Sequence, residues 1–213
     1  MKFLAIFLFT LLLSSCQRQE TSTSIETIFS TPIQPKDSLM GNFNIQKFNK
    51  HQKNDEWEYI DKDGNEIRET YIEGDGYVVD INYLKYPFST YKFFNTKGII
   101  KTKGNYFHGN GFNKGIWTDY DEKGNIIKQT DYDAPYKDYP WEKVRVWMES
   151  KNIDLMDPLT SVGRNNDNDK PIWYISWSIP LNEVGTQTTY NVEIDGKTGK
   201  IIKESSETFD REG

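Results

Sequence analysis

Trp117-Thr118-Asp119-Tyr120-Asp121-Glu122-Lys123-Gly124-Asn125-Ile126-Ile127 is the stretch that decides how this chain folds. Aromatic and polar residues run up to Tyr120, a short charged turn ends at Gly124, and two isoleucines follow, which predicts a strand, a tight turn and a returning strand. Asp121 suits the first turn position because its carboxylate can cap the backbone amides that follow, while Gly124 can take the positive φ that closes the hairpin. Two upstream segments have the same form, Asp61-Lys62-Asp63-Gly64 and Asn95-Thr96-Lys97-Gly98. Trp57, Tyr91 and Trp117 each stand seven residues before their glycine, and Tyr71, Tyr106 and Tyr132 follow it by seven or eight, as anchors of a second strand would. The glycines are spaced 34 and then 26 residues apart, so the repeat carries insertions and predicts a meander of hairpins, not a regular solenoid.

Extended backwards, the best copy runs from Tyr106-Phe107-His108-Gly109-Asn110-Gly111-Phe112-Asn113-Lys114-Gly115-Ile116 into Trp117. This pattern of aromatic, turn, Gly-x-Trp, Tyr-Asp and x-x-Gly resembles the bacterial MORN-variant repeats. The resemblance covers roughly residues 55–135, and the first two copies keep the turn but lack the Gly-x-Trp entry. Before the repeats, Phe43, Ile45 and Phe48 alternate loosely with polar residues and read as a first strand.

After the repeats, Asp133-Ala134-Pro135 and Pro140 punctuate the chain and mark a boundary near residue 135. Pro140 suits the first turn of a helix and Glu142 its positive end, with Trp141, Val144, Trp147 and Met148 on one face, so a helix is expected to about Lys151. Ile172 to Ile179 reads as a strand, Pro180 to Gln187 as a loop, and Thr189 to Asp195 alternates at period two before Gly196-Lys197-Thr198-Gly199 turns into a last strand at Lys200 to Glu204. The polar run Asn165-Asn166-Asp167-Asn168-Asp169 reads as a solvated loop. A helix followed by such a meander, with Tyr190-x-Val192-x-Ile194-Asp195-Gly196-Lys197-Thr198-Gly199-Lys200-Ile201-Ile202 as its carrying motif, resembles the PepSY-type module over residues 138–206. That resemblance implies an envelope-facing module thought to bind peptides or restrain peptidases, without catalytic residues of its own.

At the other end, Lys2 precedes an uncharged apolar run, Phe3 to Leu13, then Ser14, Ser15 and Cys16. A spanning helix needs about 20 apolar residues, and this run has roughly half that. A cleaved leader fits better, either an ordinary secretory peptide or, since Leu13-Ser14-Ser15-Cys16 resembles a bacterial lipobox, a lipoprotein signal. The lipobox resemblance implies that Cys16 becomes the first mature residue and carries acyl chains, and Gln17 after it argues for the outer membrane. Residues 17–41 are rich in Ser, Thr, Gln and Pro and read as a tether. The expected organisation is a signal peptide at 1–15, a lipidated tether at 16–41, a MORN-like meander at 42–135 and a PepSY-like helix plus sheet at 136–213.

Cys16 is the only cysteine, so no intramolecular disulfide is available and stability must come from burial. Six Trp, thirteen Tyr and twelve Phe supply that area and favour strands over helices. The expected fold class is α+β, mostly antiparallel β, with one helix packed on a small sheet. A formal charge of −6 with no basic stripe argues against nucleic acid as a partner.

Motifs for chemistry are scarce. Asp61-Lys62-Asp63-Gly64 places glycine fourth where a calcium loop needs it sixth. His51 and His108 have no metal-ligand neighbours in sequence, and no nucleophile elbow, zinc helix or phosphate loop occurs, so neither metal, cofactor nor catalytic residue is assigned. Gly64, Gly98, Gly124 and Gly199 are assigned to turns. The aromatics Trp117, Trp173, Trp177 and Tyr190 are most simply core, yet Trp173 and Trp177 share one strand face, and an exposed row there would bind a peptide or sugar. The expectation is a non-catalytic envelope lipoprotein binding a protein or peptide. An immunity lipoprotein that neutralises a periplasmic toxin, and a glycan-binding or glycan-active protein, are the alternatives.

Overall fold

The computed structural model describes residues 41–108, 111–179 and 186–210. Cys16, the leader and nearly all of the tether lie outside the described residues, as do Gly109-Asn110 of the MORN-like stretch and residues 180–185 of the expected loop.

Seven strands follow one another in chain order as a single antiparallel meander: β1 (Glu56–Ile60), β2 (Glu66–Ile72), β3 (Gly76–Asn82), β4 (Phe88–Asn95), β5 (Ile100–Phe107), β6 (Asn113–Tyr120) and β7 (Ile126–Asp131). The repeated turns have one construction. Asp61 Oδ1 accepts from the amides of Asp63 and Asn65 at 2.8 and 2.9 Å, Asn95 Oδ1 from Lys97 and Ile99 at 3.0 and 2.9 Å, and Asp121 Oδ1 from Lys123 and Asn125, both at 2.8 Å. The three glycines carry φ of 85°, 76° and 82°. The insertion behind the unequal spacing is β3. Because it adds a third strand between Gly64 and Gly98, the Gly64 turn lies at the opposite end of the sheet from the other two. The Gly98 and Gly124 turns are neighbours, bridged by Glu122, which accepts from Asn95 Nδ2 at 2.9 Å and from Lys101 Nζ at 2.8 Å.

The segment read as a first strand is a helix, α1 (Ile45–His51). Asn44 caps it, its side chain accepting from the Lys47 amide at 2.9 Å, and this cap is what the alternation of Phe43 and Ile45 concealed. Ile45 and Phe48 lie three apart on one helical face; Phe48 is buried against Tyr77, and Phe43 stacks on the same ring at 4.4 Å. Alternation along β3 directs Tyr77, Val79 and Ile81 to this side, where they join Ile67, Phe94 and Phe48 in one core.

A 3-10 turn at Ala134–Tyr136 leads to α2 (Trp141–Ser150), and then to a separate four-stranded antiparallel sheet: β8 (Ser161–Asp167), β9 (Lys170–Ile179), β10 (Thr186–Asp195) and β11 (Ile201–Asp210), ordered β11-β10-β9-β8. The chain is therefore α+β, with mostly antiparallel β and a helix on the smaller sheet. Asp195 repeats the turn chemistry, accepting from the Lys197 and Thr198 amides at 3.0 and 2.7 Å, with Gly199 at φ 72°. The polar run read as a loop is instead the end of β8 and a hairpin turn in which Asn168 and Asp169 take φ of 53° and 58°. β11 extends beyond Glu204, to Asp210. Trp141, Val144 and Met148 of α2 are buried between Phe88 and Phe107 of the large sheet, with Phe112 just before β6, and Val162, Trp173, Ile175, Val192 and Ile194 of the small one, so a single core spans residues on both sides of position 135.

Candidate binding surfaces

The four candidate aromatics do not converge. Trp173 is fully buried, its indole N–H donating to the Tyr139 carbonyl at 3.0 Å, which makes it a core residue. Trp177 and Tyr190, cross-strand partners on the same side of the sheet, are partly buried and stack at 5.1 Å, with Trp147 of α2 edge-on to Trp177 at 6.4 Å. Trp117 belongs to the other sheet, on the side away from α1, where it stacks on Tyr91 at 5.7 Å and donates its indole N–H to the Asn105 carbonyl at 2.9 Å.

That outer side of the large sheet carries a polar network. Arg68 pairs with Glu56 at 2.5 Å and faces Asp80 across the β2–β3 register. Tyr106 donates to Asp80 Oδ1 at 3.1 Å. Burial pushes the Asp80 carboxyl above its ordinary value despite the Tyr106 hydrogen bond and the Arg68 charge, and burial beside Asp80 pushes the Tyr106 hydroxyl up to about 12. One strand further along, Ser89 Oγ lies 2.9 Å from His108 Nδ1, a pairing that invites comparison with an activated nucleophile. The proton is committed elsewhere: Ser89 donates it to Asn82 Oδ1 at 2.6 Å, so His108 Nδ1 must itself donate to Ser89, and Ser89 is fully buried. Sequence reading missed this network because its members come from five strands and the loop after β5, and only the register assembles them.

The side of the small sheet opposite α2 is open. Ser161, Ser176, Asn191 and Ser205 align across its four strands, and Gly163, Tyr174, Glu193 and Lys203 form the next row. Together with Glu207 these residues line a trough of about 430 Å³. The small side chains of the first row set its floor, and Lys203 Nζ sits 3.5 Å from Glu193 as its one ion pair among the described lining residues. β11 forms one margin. Its side chains are exposed from Ile201 to Phe209, and among the described residues no strand pairs with its outer edge.

Among the described residues, no three His, Cys, Asp or Glu side chains are grouped so as to hold a metal ion, and no helix is long and apolar enough to cross a membrane. No family model, curated protein or solved structure matches the chain.

Proposed function

We propose that this chain is an envelope lipoprotein, anchored through Cys16, that binds a protein or peptide segment without catalysing a reaction, the segment adding as a strand to β11 beside the open trough. The observation that carries this reading is the ten-residue edge of β11, with main-chain groups along its outer side and exposed apolar side chains at Ile201, Ile202 and Phe209. An edge of this kind is a template for strand addition: backbone hydrogen bonds supply affinity, and alternate side chains read the partner. The polar trough next to it would accept the side chains that the added strand points inward. The MORN-like and PepSY-like resemblances support the same reading, since neither implies a catalytic group.

The test is capture of partners from envelope extract by the full chain, beside the double variant Ile202→Lys, Phe209→Lys, whose side chains are already in solvent. Wild type is expected to retain a discrete protein that the variant loses. Retention by both, or binding to a glycan array with no protein partner, would overturn the proposal.

A further inference from the structure

At the opposite edge of the small sheet, β8 sends Val162, Arg164 and Asn166 toward the core side, and the last two present polar groups where the strand pattern calls for apolar ones. The Arg164 side chain is only 5 % exposed. Its guanidinium is sandwiched among rings, with its carbon 4.6 Å from the centres of Phe112 and Tyr136 and 5.3 Å from that of Trp173. Nη2 donates to Asp133 Oδ1 at 2.9 Å and to the Asn113 carbonyl. Nη1 donates to nothing, and Asn166 Oδ1, two residues on along the same face of β8 and also buried, accepts from nothing. A buried donor and a buried acceptor left unpaired each cost free energy that a matching partner would recover. Both residues line a cleft of about 400 Å³ whose other walls include Phe112, Asp131, Tyr132 and Tyr136.

We infer that this cleft is a second binding site, which takes one residue of an extended peptide, its carbonyl on Arg164 Nη1 and its own N–H, which points the same way in extended backbone, on Asn166 Oδ1. Three observations select that chemistry. First, an unused donor and an unused acceptor on one strand face match the N–H and C=O of a single extended residue and mismatch a carboxylate, which would set oxygen against Asn166 Oδ1. Second, the local charge leaves no surplus for an anion, because Arg164 and Lys114 face Asp133, the latter at 2.5 Å, while Glu142 lies 3.7 Å from Lys114 and Asp131 lines the cleft. Third, a sugar ring needs a free aromatic face. The Phe112 and Tyr136 rings each give a face to the guanidinium, which leaves Tyr132, 39 % exposed and edge-on to Trp117 at 6.0 Å, as the one aromatic of the described lining that reaches solvent. The site does not depend on strand addition at β11, since β8 and β11 are the two opposite edges of the sheet.

Titration of the isotopically labelled full chain in detergent with N-acetyl-alanine methylamide, read by NMR, tests this. The backbone signals of Arg164 and Asn166 are expected to shift saturably, with a dissociation constant on the order of millimolar for so small a probe. N,N-dimethylacetamide, which has the carbonyl but no N–H, should bind about tenfold more weakly, and Asn166→Ala should weaken the secondary amide by a similar factor. Arg164→Lys should abolish the response. Asn166→Ala keeps the test sharp if that variant fails to fold, because Asn166 Oδ1 makes no hydrogen bond that the change would remove. Absence of any shift means that the cleft holds water only, and overturns the proposal. So does a response to acetate equal to that of the capped alanine, tighter binding of N-acetylglucosamine, or unchanged affinity in Asn166→Ala.

Discussion

The indole of Trp117 lies across Gly104 so closely that a Cβ on Gly104 would sit 2.1 Å from the ring. Gly104 is also the register partner of Tyr91, so the missing side chain is the slot through which Tyr91 and Trp117 stack across β5. The glycine here answers to its neighbour's shape and not to backbone conformation, for its φ is not positive.

Gly104→Ala should therefore lower stability by about 1–3 kcal/mol, the usual range for overpacking. Gly163→Ala, with nothing within 4 Å of the added methyl, should change it little. Urea unfolding of the two variants compares them directly, and equal midpoints would mean that the ring yields without cost.

Turn glycines divide in the same way. Gly124 has φ of 82° and open space around it, so Gly124→Ala should cost only the left-handed strain, about 1–2 kcal/mol. Gly76 has φ of 139°, and a Cβ there would meet the Phe94 carbonyl oxygen at 2.0 Å. Gly76→Ala should break the β3–β4 ladder at that end, and hydrogen exchange at Tyr77 and Phe94 reports it.

Asp133 joins the two sheets electrostatically. Burial alone would raise its carboxyl, but the hydrogen bond and charge of Lys114, the Gly115 amide and Arg164 outweigh that and hold it below the ordinary value. A depressed folded-state value stabilises the protein above the unfolded value, about 3.9, and that contribution is lost as pH falls through the folded one. Asp133→Asn should thus cost about 2 kcal/mol at pH 7, with the gap from wild type closing below about pH 4 in denaturant melts.

Asp80 has the opposite sign. Its folded value is raised, chiefly by burial, so its ionisation opposes folding at neutral pH, and this opposition is relieved as pH falls through the folded value towards about 3.9. Asp80→Asn, which keeps an acceptor for Tyr106, should equal or exceed wild type in stability at pH 7, and wild type should gain on it during acidification. A variant less stable at pH 7 by 1 kcal/mol or more would show that the Arg68 attraction outweighs desolvation; that threshold is about twice the ordinary scatter of surface substitutions.

Trp173→Ala should cost about 3–5 kcal/mol, the range for a large core aromatic, and Trp177→Ala distinctly less because Trp177 is only partly buried. Thermal unfolding ranks the pair.

The residues that could be read from sequence were those whose chemistry is local. Asp61, Asn95, Asp121 and Asp195 each cap amides two to four residues away, and the face of α2 shows in Trp141, Val144 and Met148 alone. Two elements were hidden because a local signal pointed elsewhere. Phe43 and Ile45 alternate like a strand, and only Asn44 betrayed the helix cap. β8 buries Arg164 beneath aromatic rings and so lacks an apolar stripe, leaving Asn168-Asp169, a pair suited to positive φ, as its one clue. The cleft itself needs β6, the turn after β7 and β8 brought together, which no spacing encodes.

The shared core around α2 also imposes a timetable on synthesis. As the chain emerges from its N-terminus, the hairpins of the large sheet can close early, because their pairings link neighbours in sequence. Phe88, Phe107 and Phe112 then wait, greasy and uncovered, until α2 arrives and Val192 and Ile194 complete the layer behind it, more than a hundred residues after the first of them. During that interval the half-built protein displays an aromatic surface open to non-native contacts.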